Sequence, residues 1–563
     1  MKDFSQKIII YQILPRLLNK NASNIPNGTL AENGCGKMAF FNRKVLLKIK
    51  RLGATHIWYT GLLEHATQTD YSSWGIAVDN KTVVKGKAGS PYAIKDYYDI
   101  DPDLAINPGN RMGEFEALLE RTHQVGLKFI MDFVPNHVAR QYHSDNLPDG
   151  VADLGENDDT SKAFSPQNNF YYMPEQYFCS PVTDETAPYV EFPARATGNN
   201  QFTSSPTRND WYETIKLNYG IDYVHGGYSH FQPTPNTWSR MLEILLFWSG
   251  KGVDAFRCDM AEMVPVEFWN WAIRQVKKHF PNVIFIAEVY NPGLYYQYVN
   301  EGGFDYLYDK VGLYDTLRAV TCHRTSASAI TSCWQRLGDL QSHMLNFLEN
   351  HDEQRLASDF FAGTGRKGLA ALVVSCCMNT NPFMIYGGQE LGERGMDAEG
   401  FSGRDGRTSI FDYWSVSTLR RYFLEKDEGN NVENAWLRDF YQKVLTLCNK
   451  EKAISEGKFF DLMYVNYDHP QTFNSERQYA FLRGFSQNLI LVCANFDDQP
   501  HIAEIRIPSH AFEYLGISSG EYKTINLLTS EESIVNLLPN SMVRVSVEAN
   551  SAIILKMKTL KKK

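Results

Sequence analysis

Eight short apolar runs alternate with amphipathic stretches over most of this chain, and that alternation restricts the fold more than any other feature. The runs are residues 8–14, 56–59, 128–134, 253–258, 283–287, 304–308, 344–348 and 383–386. Each has the length and the aliphatic or aromatic content of a buried strand. Helical patterns lie between them. Residues 44–51 are basic, and Gly53 follows as a C′ glycine would. Residues 113–125 put Phe115, Leu118, Leu119 and Thr122 on one face and stop at Gly126. Residues 236–248 are amphipathic through Met241, Leu242, Leu245 and Leu246, with Gly250 read as the residue just past the helix end. Residues 267–280 are stopped by Pro281. Strand–helix alternation makes parallel neighbours, and eight of them argue for a closed (β/α)8 TIM barrel rather than an open sheet.

Two segments break the rhythm. Residues 138–214 are rich in Asn, Asp, Pro and Tyr and carry no helical period. They are too long for a plain loop and read as a subdomain inserted after the third strand. From about Phe460 the runs become short and alternating, at 479–482, 489–494, 503–507, 543–547 and 552–557, as in an antiparallel β-sandwich. The expected division is therefore 1–137 and 215–455 for the barrel, 138–214 for the insertion and 456–563 for the C-terminal sandwich.

Composition removes several classes. A chain of 563 residues with 43% hydrophobic and 21% charged residues is globular and holds more than one core. A net charge of −9 argues against a nucleic-acid partner. The basic end, Lys556, Lys558 and Lys561 to Lys563, reads as a solvated tail. Nine cysteines at no metal-ligand spacing read as free thiols of a reducing compartment. No apolar run is long enough to insert in a membrane. The start, Met1-Lys2-Asp3 before Ile8, is too short for a signal peptide, so a cytoplasmic location is expected; a periplasmic or secreted protein already freed of its leader is the alternative. Thirty-one tyrosines fit a surface that stacks on sugar rings, and equally a large core. The oligomeric state leaves no trace in the sequence.

The chemistry sits where strands stop. Asp132-Phe133-Val134-Pro135-Asn136-His137, Phe256-Arg257-Cys258-Asp259, Ile286-Ala287-Glu288-Val289 and Glu349-Asn350-His351-Asp352 each end a strand in polar groups. A parallel barrel gathers its strand C-termini on one face, so three acids, two histidines and an arginine converge there. Two carboxyl groups flanking a sugar bond, with a third nearby, are a means of cleaving a glycoside.

Taken together, these segments resemble the α-amylase family of glycoside hydrolases over roughly residues 5–450. Position by position, the resemblance makes Asp259 the nucleophile, Glu288 the general acid/base and Asp352 the third acid, which binds sugar hydroxyls and favours a distorted ring. His137 and His351 match the histidines that bond the sugar in the cleavage subsite, and Tyr92 the tyrosine that stacks on it. Arg257, two residues before Asp259 on the same side of the strand, would keep that carboxylate ionised. Asp132 reads as structural, holding the site from below. Trp74, Tyr171, Tyr172, Trp211 and Tyr228 are candidates for further subsites or for ordinary packing.

The resemblance implies a retaining hydrolase of α-1,4 bonds in starch or maltooligosaccharides. A transglycosylase using the same residues is the first alternative, and an exo-acting α-glucosidase the second. Exo-acting relatives often carry an acid three residues before the stacking tyrosine, where this chain has Gly89. Calcium-dependent relatives carry Lys-His where this chain has Glu262-Met263, and an aspartate ligand where it has Lys216 within Ile215-Lys216-Leu217-Asn218. The lysine form resembles the neopullulanase and maltogenic-amylase group. No cofactor is required on this reading, and Ca²⁺ is possible elsewhere in the chain. Ca²⁺ is not expected at the Lys216 position, where the ammonium would replace it against Asn136; Asn136 would be a metal ligand only if that replacement fails.

Overall fold

The computed structural model describes residues 6–395, 403–425, 432–467 and 472–560. Eight parallel strands close a barrel: β1 (Ile9–Ile13), β2 (His56–Tyr59), β3 (Lys128–Phe133), β4 (Ala255–Cys258), β5 (Ile284–Ala287), β6 (Tyr306–Tyr308), β7 (Met344–Phe347) and β8 (Phe383–Tyr386). They follow one another round the ring in chain order, β1 meeting both β2 and β8. Register sets the site: Arg257 of β4 lies beside Asp132 of β3 and Ile286 of β5.

The outer helices sit where period and caps direct them. Arg43–Leu52 starts on the Asn42 side chain, which accepts from the Lys44 and Val45 amides. It ends at Gly53, whose φ of 116° is open to glycine. The helix expected to stop before Gly250 runs on as Asn236–Lys251, and Gly252 takes the left-handed cap. Trp248 and Ser249 are buried against the barrel, so packing carries the helix one turn past the first glycine. Aromatic edges bind strands to helices: Phe115 meets Phe129 and Trp248 at 5.6 and 5.1 Å, and Phe133 meets Trp269 at 6.2 Å. Each such buried ring contributes on the order of 1.5–3 kcal/mol from desolvation.

The excursion after β3 begins and ends in one antiparallel pair, His137–Ala139 with Thr214–Lys216. Inside it, the fully buried Arg140 pairs with Glu191 at 2.8 Å and donates to the Tyr212 and Thr214 carbonyls. That one side chain ties three separate stretches of the insertion together.

The C-terminal strands are β9 (Lys458–Asp461), β10 (Gln478–Phe485), β11 (Asn488–Asn495), β12 (His501–Arg506), β13 (Gly520–Asn526), β14 (Glu532–Leu537), β15 (Met542–Val547) and β16 (Ser551–Thr559). Six form one antiparallel sheet in the order β9-β10-β11-β16-β13-β14, and β12 pairs with β15 in a second. The hairpin β13–β14 escaped sequence reading because β14 is mostly exposed and lacks apolar alternation. Lys556 is not part of a solvated tail, since it pairs with Glu451; Lys561 to Lys563 lie outside the described residues. The nine cysteines form no disulfide, and seven of them are buried. No helix among the described residues is long and apolar enough to cross a membrane.

Candidate active site

Arg257 is the hub of the barrel's carboxyl-terminal face. Its guanidinium is 1% exposed. One end nitrogen donates to Asp259 Oδ1 at 2.7 Å, the other lies 2.8 Å from Glu288 Oε2, and Nε donates to the Tyr308 hydroxyl at 3.1 Å. Asp132 Oδ1 lies 3.7 Å away. Trp58, Tyr92 and Tyr308 surround the cation with rings 5.3 to 5.5 Å from its carbon. The rings keep water out and still favour positive charge through their faces.

Backbone geometry fixes the two acids. The Asp259 and Glu288 amides continue the barrel ladder, donating to the Phe133 and Cys258 carbonyls. Met260 then turns into the left-handed region at φ 42°, an uncommon state for a side chain of this size. The turn aims its amide at Glu288 Oε2, 2.9 Å away, which ties the stored strain to the site. The other oxygen of Glu288 accepts from the Tyr290 hydroxyl at 2.6 Å.

The third acid comes from the loop after β7. Asn350 Oδ1 accepts from the Asp352 and Glu353 amides, and Glu349 is locked to Arg355 at 3.0 Å and to the Leu356 amide. Within this loop His351 Nδ1 accepts from the Gln12 amide at 2.8 Å, so Nε2 carries the proton. Nε2 faces the Tyr92 hydroxyl at 2.5 Å and Asp352 Oδ2 at 3.1 Å. Burial and the Arg257 charge push His351 well below the usual histidine range, so this ring is a neutral donor. His137 is also neutral, pushed down to about 3 by burial, Lys216 and Lys85. Its Nδ1 lies 3.1 Å from the Asn136 amide nitrogen, and its ring 5.2 Å from Trp211.

The electrostatics are those of crowded acids. Burial pushes Asp259 well above the usual carboxylate range; the Arg257 guanidinium opposes this and Glu288 adds to it. Asp352, whose side chain opens on solvent at 42% exposure, is pushed up to about 7 by the cleft walls and then by Glu288. Below them Asp132 accepts from Trp58 Nε1 at 3.0 Å and from the Gly61 amide, and burial raises it to about 6.

The structure thus brings Tyr92, His137, Arg257, Asp259, Glu288, His351 and Asp352 to one cleft. Trp211 stands beside it, and Trp74 and Tyr228 are exposed, while Tyr171 and Tyr172 are packed away. Sequence reading missed Tyr290, Tyr308 and Gln12. Tyr290 was within reach, because it lies two residues after Glu288 and so on the same side of the extended chain. Gly89 is a glycine of necessity: at φ 75° a Cβ there would fall 1.7 Å from the Ala66 carbonyl oxygen.

At the root of the insertion Lys216 is buried, 2% exposed. Its ammonium group donates to Asn136 Oδ1 and to the Met263 carbonyl, the latter at 3.2 Å. Burial alone pushes it down to about 7.

Comparison with known proteins agrees with this geometry. Residues 33–457 match the family described as alpha amylase, catalytic domain. Alpha-amylase 3 of Dictyoglomus thermophilum is 24% identical over 397 residues, 65% of this chain and 68% of that protein. An alpha-1,4-glucan:maltose-1-phosphate maltosyltransferase of Rhodospirillum rubrum is 24% identical over 295 residues; the match covers half of this chain and only 37% of that longer protein. Among solved structures, a maltogenic alpha-amylase from Thermotoga neapolitana superposes with a TM-score of 0.63 at 20% identity, each chain covered in full.

Proposed function

The chain belongs to the α-amylase family, and on that premise we propose that it is a retaining glycosidase acting on α-1,4-linked glucans. The observation that carries this reading is the single guanidinium shared by Asp259 and Glu288. It makes the two carboxyl groups near neighbours, as a covalent mechanism needs, where inverting enzymes leave room for a water between them. Asp259 attacks the anomeric carbon while Glu288 protonates the departing oxygen. Glu288 then takes a proton from water, which displaces Asp259 and restores the starting configuration. Asp352 and the Nε2–H of His351 are placed to hold the hydroxyls of the same sugar, and Tyr92 to stack on it. Lys216 is placed to do the work of a calcium ion between Asn136 and the barrel.

Gly89 supports internal or maltose-releasing cleavage, because that position has no room for a carboxylate to grip a terminal glucose. The maltosyltransferase relative motivates a second reading, in which the glycosyl group passes to another sugar instead of to water. The test is a time course on maltoheptaose, followed by NMR of the newborn anomer and by product length. Hydrolysis by this route releases α-anomers shorter than the substrate. Products longer than maltoheptaose establish the transfer reading, and β-anomers overturn the mechanism.

A further inference from the structure

Outside the cleft, the hairpin that carries Tyr92 ends in a second cluster of acids. Glu64 lies on the strand Leu63–His65 and Asp99 on its partner Ile94–Ile100, and Asp145 comes from the start of the insertion. One carboxylate oxygen from each lies within 4.8 Å of the others. Asp96, opposite Glu64 in the hairpin, accepts from the Asp145 and Asn146 amides and so holds that loop against the cluster.

Charge here does not balance. Three acids face Arg111, whose guanidinium reaches Asp99 at 2.5 Å and Asp145 at 2.9 Å but stands 3.7 Å from Glu64. Lys95 is drawn away to Asp79 and the Ala77 carbonyl. Glu64 is the anomaly. It is 1% exposed, and neither of its carboxylate oxygens has a hydrogen-bond partner. A buried carboxyl without a donor costs several kcal/mol if ionised, so such a group is rarely left unanswered.

We propose that Glu64, Asp99 and Asp145 bind a hard divalent cation, Ca²⁺. The donors are all carboxylate oxygens, as calcium prefers, and their spread suits Ca–O distances of about 2.3–2.6 Å. Glu64 can offer both oxygens, Asp99 and Asp145 an oxygen each beside the Arg111 guanidinium, and water completes the shell on the exposed Asp145 side. The ion would bind the hairpin to the insertion and so brace Tyr92, which lies two residues before Ile94.

The test is equilibrium dialysis of the chelator-stripped full chain against Ca²⁺ alone, with the melting temperature read in parallel. One ion per chain should bind, with Kd at or below about 10⁻³ M, the weak end for protein calcium sites. Glu64→Gln should bind at least about tenfold more weakly, and Asp145→Asn should weaken binding in the same direction. In chelator Glu64→Gln should melt at or above the unsubstituted protein, since it removes a buried carboxyl without a partner. Saturating Ca²⁺ should raise the melting temperature of the unsubstituted protein and leave the variant where it was. Absence of saturable binding, or binding that both variants retain at full strength, overturns the proposal.

Discussion

Two buried cations on the same side of the barrel show how differently one fold can treat positive charge. Arg257 is surrounded by acids: Asp259 and Glu288 touch it, Asp132 stands behind, and it is held well above its ordinary range despite burial. Lys216 is just as buried but has only neutral oxygens, Asn136 and a carbonyl, and burial takes it down to about 7. The difference follows from the side chains. A guanidinium cannot shed its proton, so it needs counter-charges; an amine can, and so it tolerates a neutral cage. The first site is built to keep its charge, and the second survives losing it.

The sharpest way to break the comparison is to remove the charges that Arg257 serves. Asp259→Asn and Glu288→Gln are each expected to lower kcat by about a hundredfold or more, since each removes a separate chemical role. Neither should lower the melting temperature, because each relieves crowding among acids that share one guanidinium. Near-normal kcat in purified Asp259→Asn would sink the assignment. Arg257→Met should instead cost about 3–5 kcal/mol of stability, the penalty of stranding buried acids without their cation.

Lys216→Ala is expected to do less, about 1–3 kcal/mol, by leaving the buried Asn136 oxygen without a donor. It should loosen the pairing of His137–Ala139 with Thr214–Lys216 and raise KM through His137, next to Asn136. Denaturant melts of both variants rank the two sites directly. Equal losses for Arg257→Met and Lys216→Ala would mean that the contrast between paired and unpaired charge is false.

The barrel was legible in the sequence because its strands are short apolar runs buried on both faces; β2 and β8 fall at the residues the pattern marks. The acids were legible because each closes such a run. Helix ends were less so: Gly250 looked like a stop, and only the burial of Trp248 and Ser249 shows why the helix continues. Glu64 and Asp145 could not be paired from sequence, being 81 positions apart and joined only through the hairpin's register. Arg140 left no local signal either, because its partners, Glu191 and the Tyr212 and Thr214 carbonyls, lie more than fifty positions away.

A finer contrast is pH. Lys216 has a folded value near 7, below the ordinary lysine value of about 10.4, so between them the unfolded chain holds the proton and the folded chain does not. Stability from this group therefore rises with pH across that window, by up to about 1.4 kcal/mol per unit. Relative to Lys216→Met, the unsubstituted protein should gain stability from pH 7 to pH 9. Arg257 stays charged throughout and contributes no such slope. A flat difference between the two proteins over that range would place the lysine at its ordinary value.

The smallest expected effect is none at all, and it separates the lysine from the acid cluster. If the Lys216 ammonium does the work of a metal ion beside Asn136, a chelator has nothing to remove there. Among the described residues, the acids gathered closely enough to hold a metal ion are Glu64, Asp99 and Asp145, and a response of the unsubstituted protein to EDTA is expected to come through them. In the Glu64→Gln background, EDTA should leave both melting temperature and kcat unchanged. Inactivation of that variant by EDTA, reversed by added calcium, would mean that a metal sits at Asn136 after all and that Lys216 points elsewhere in solution. Because Lys216 Nζ and Asn136 Oδ1 are within hydrogen-bonding reach, a cation between them would have to displace the amine and cross into a pocket offering neutral oxygens only. Calcium, which takes 6–8 oxygen ligands and draws much of its affinity from carboxylates, has little to gain there.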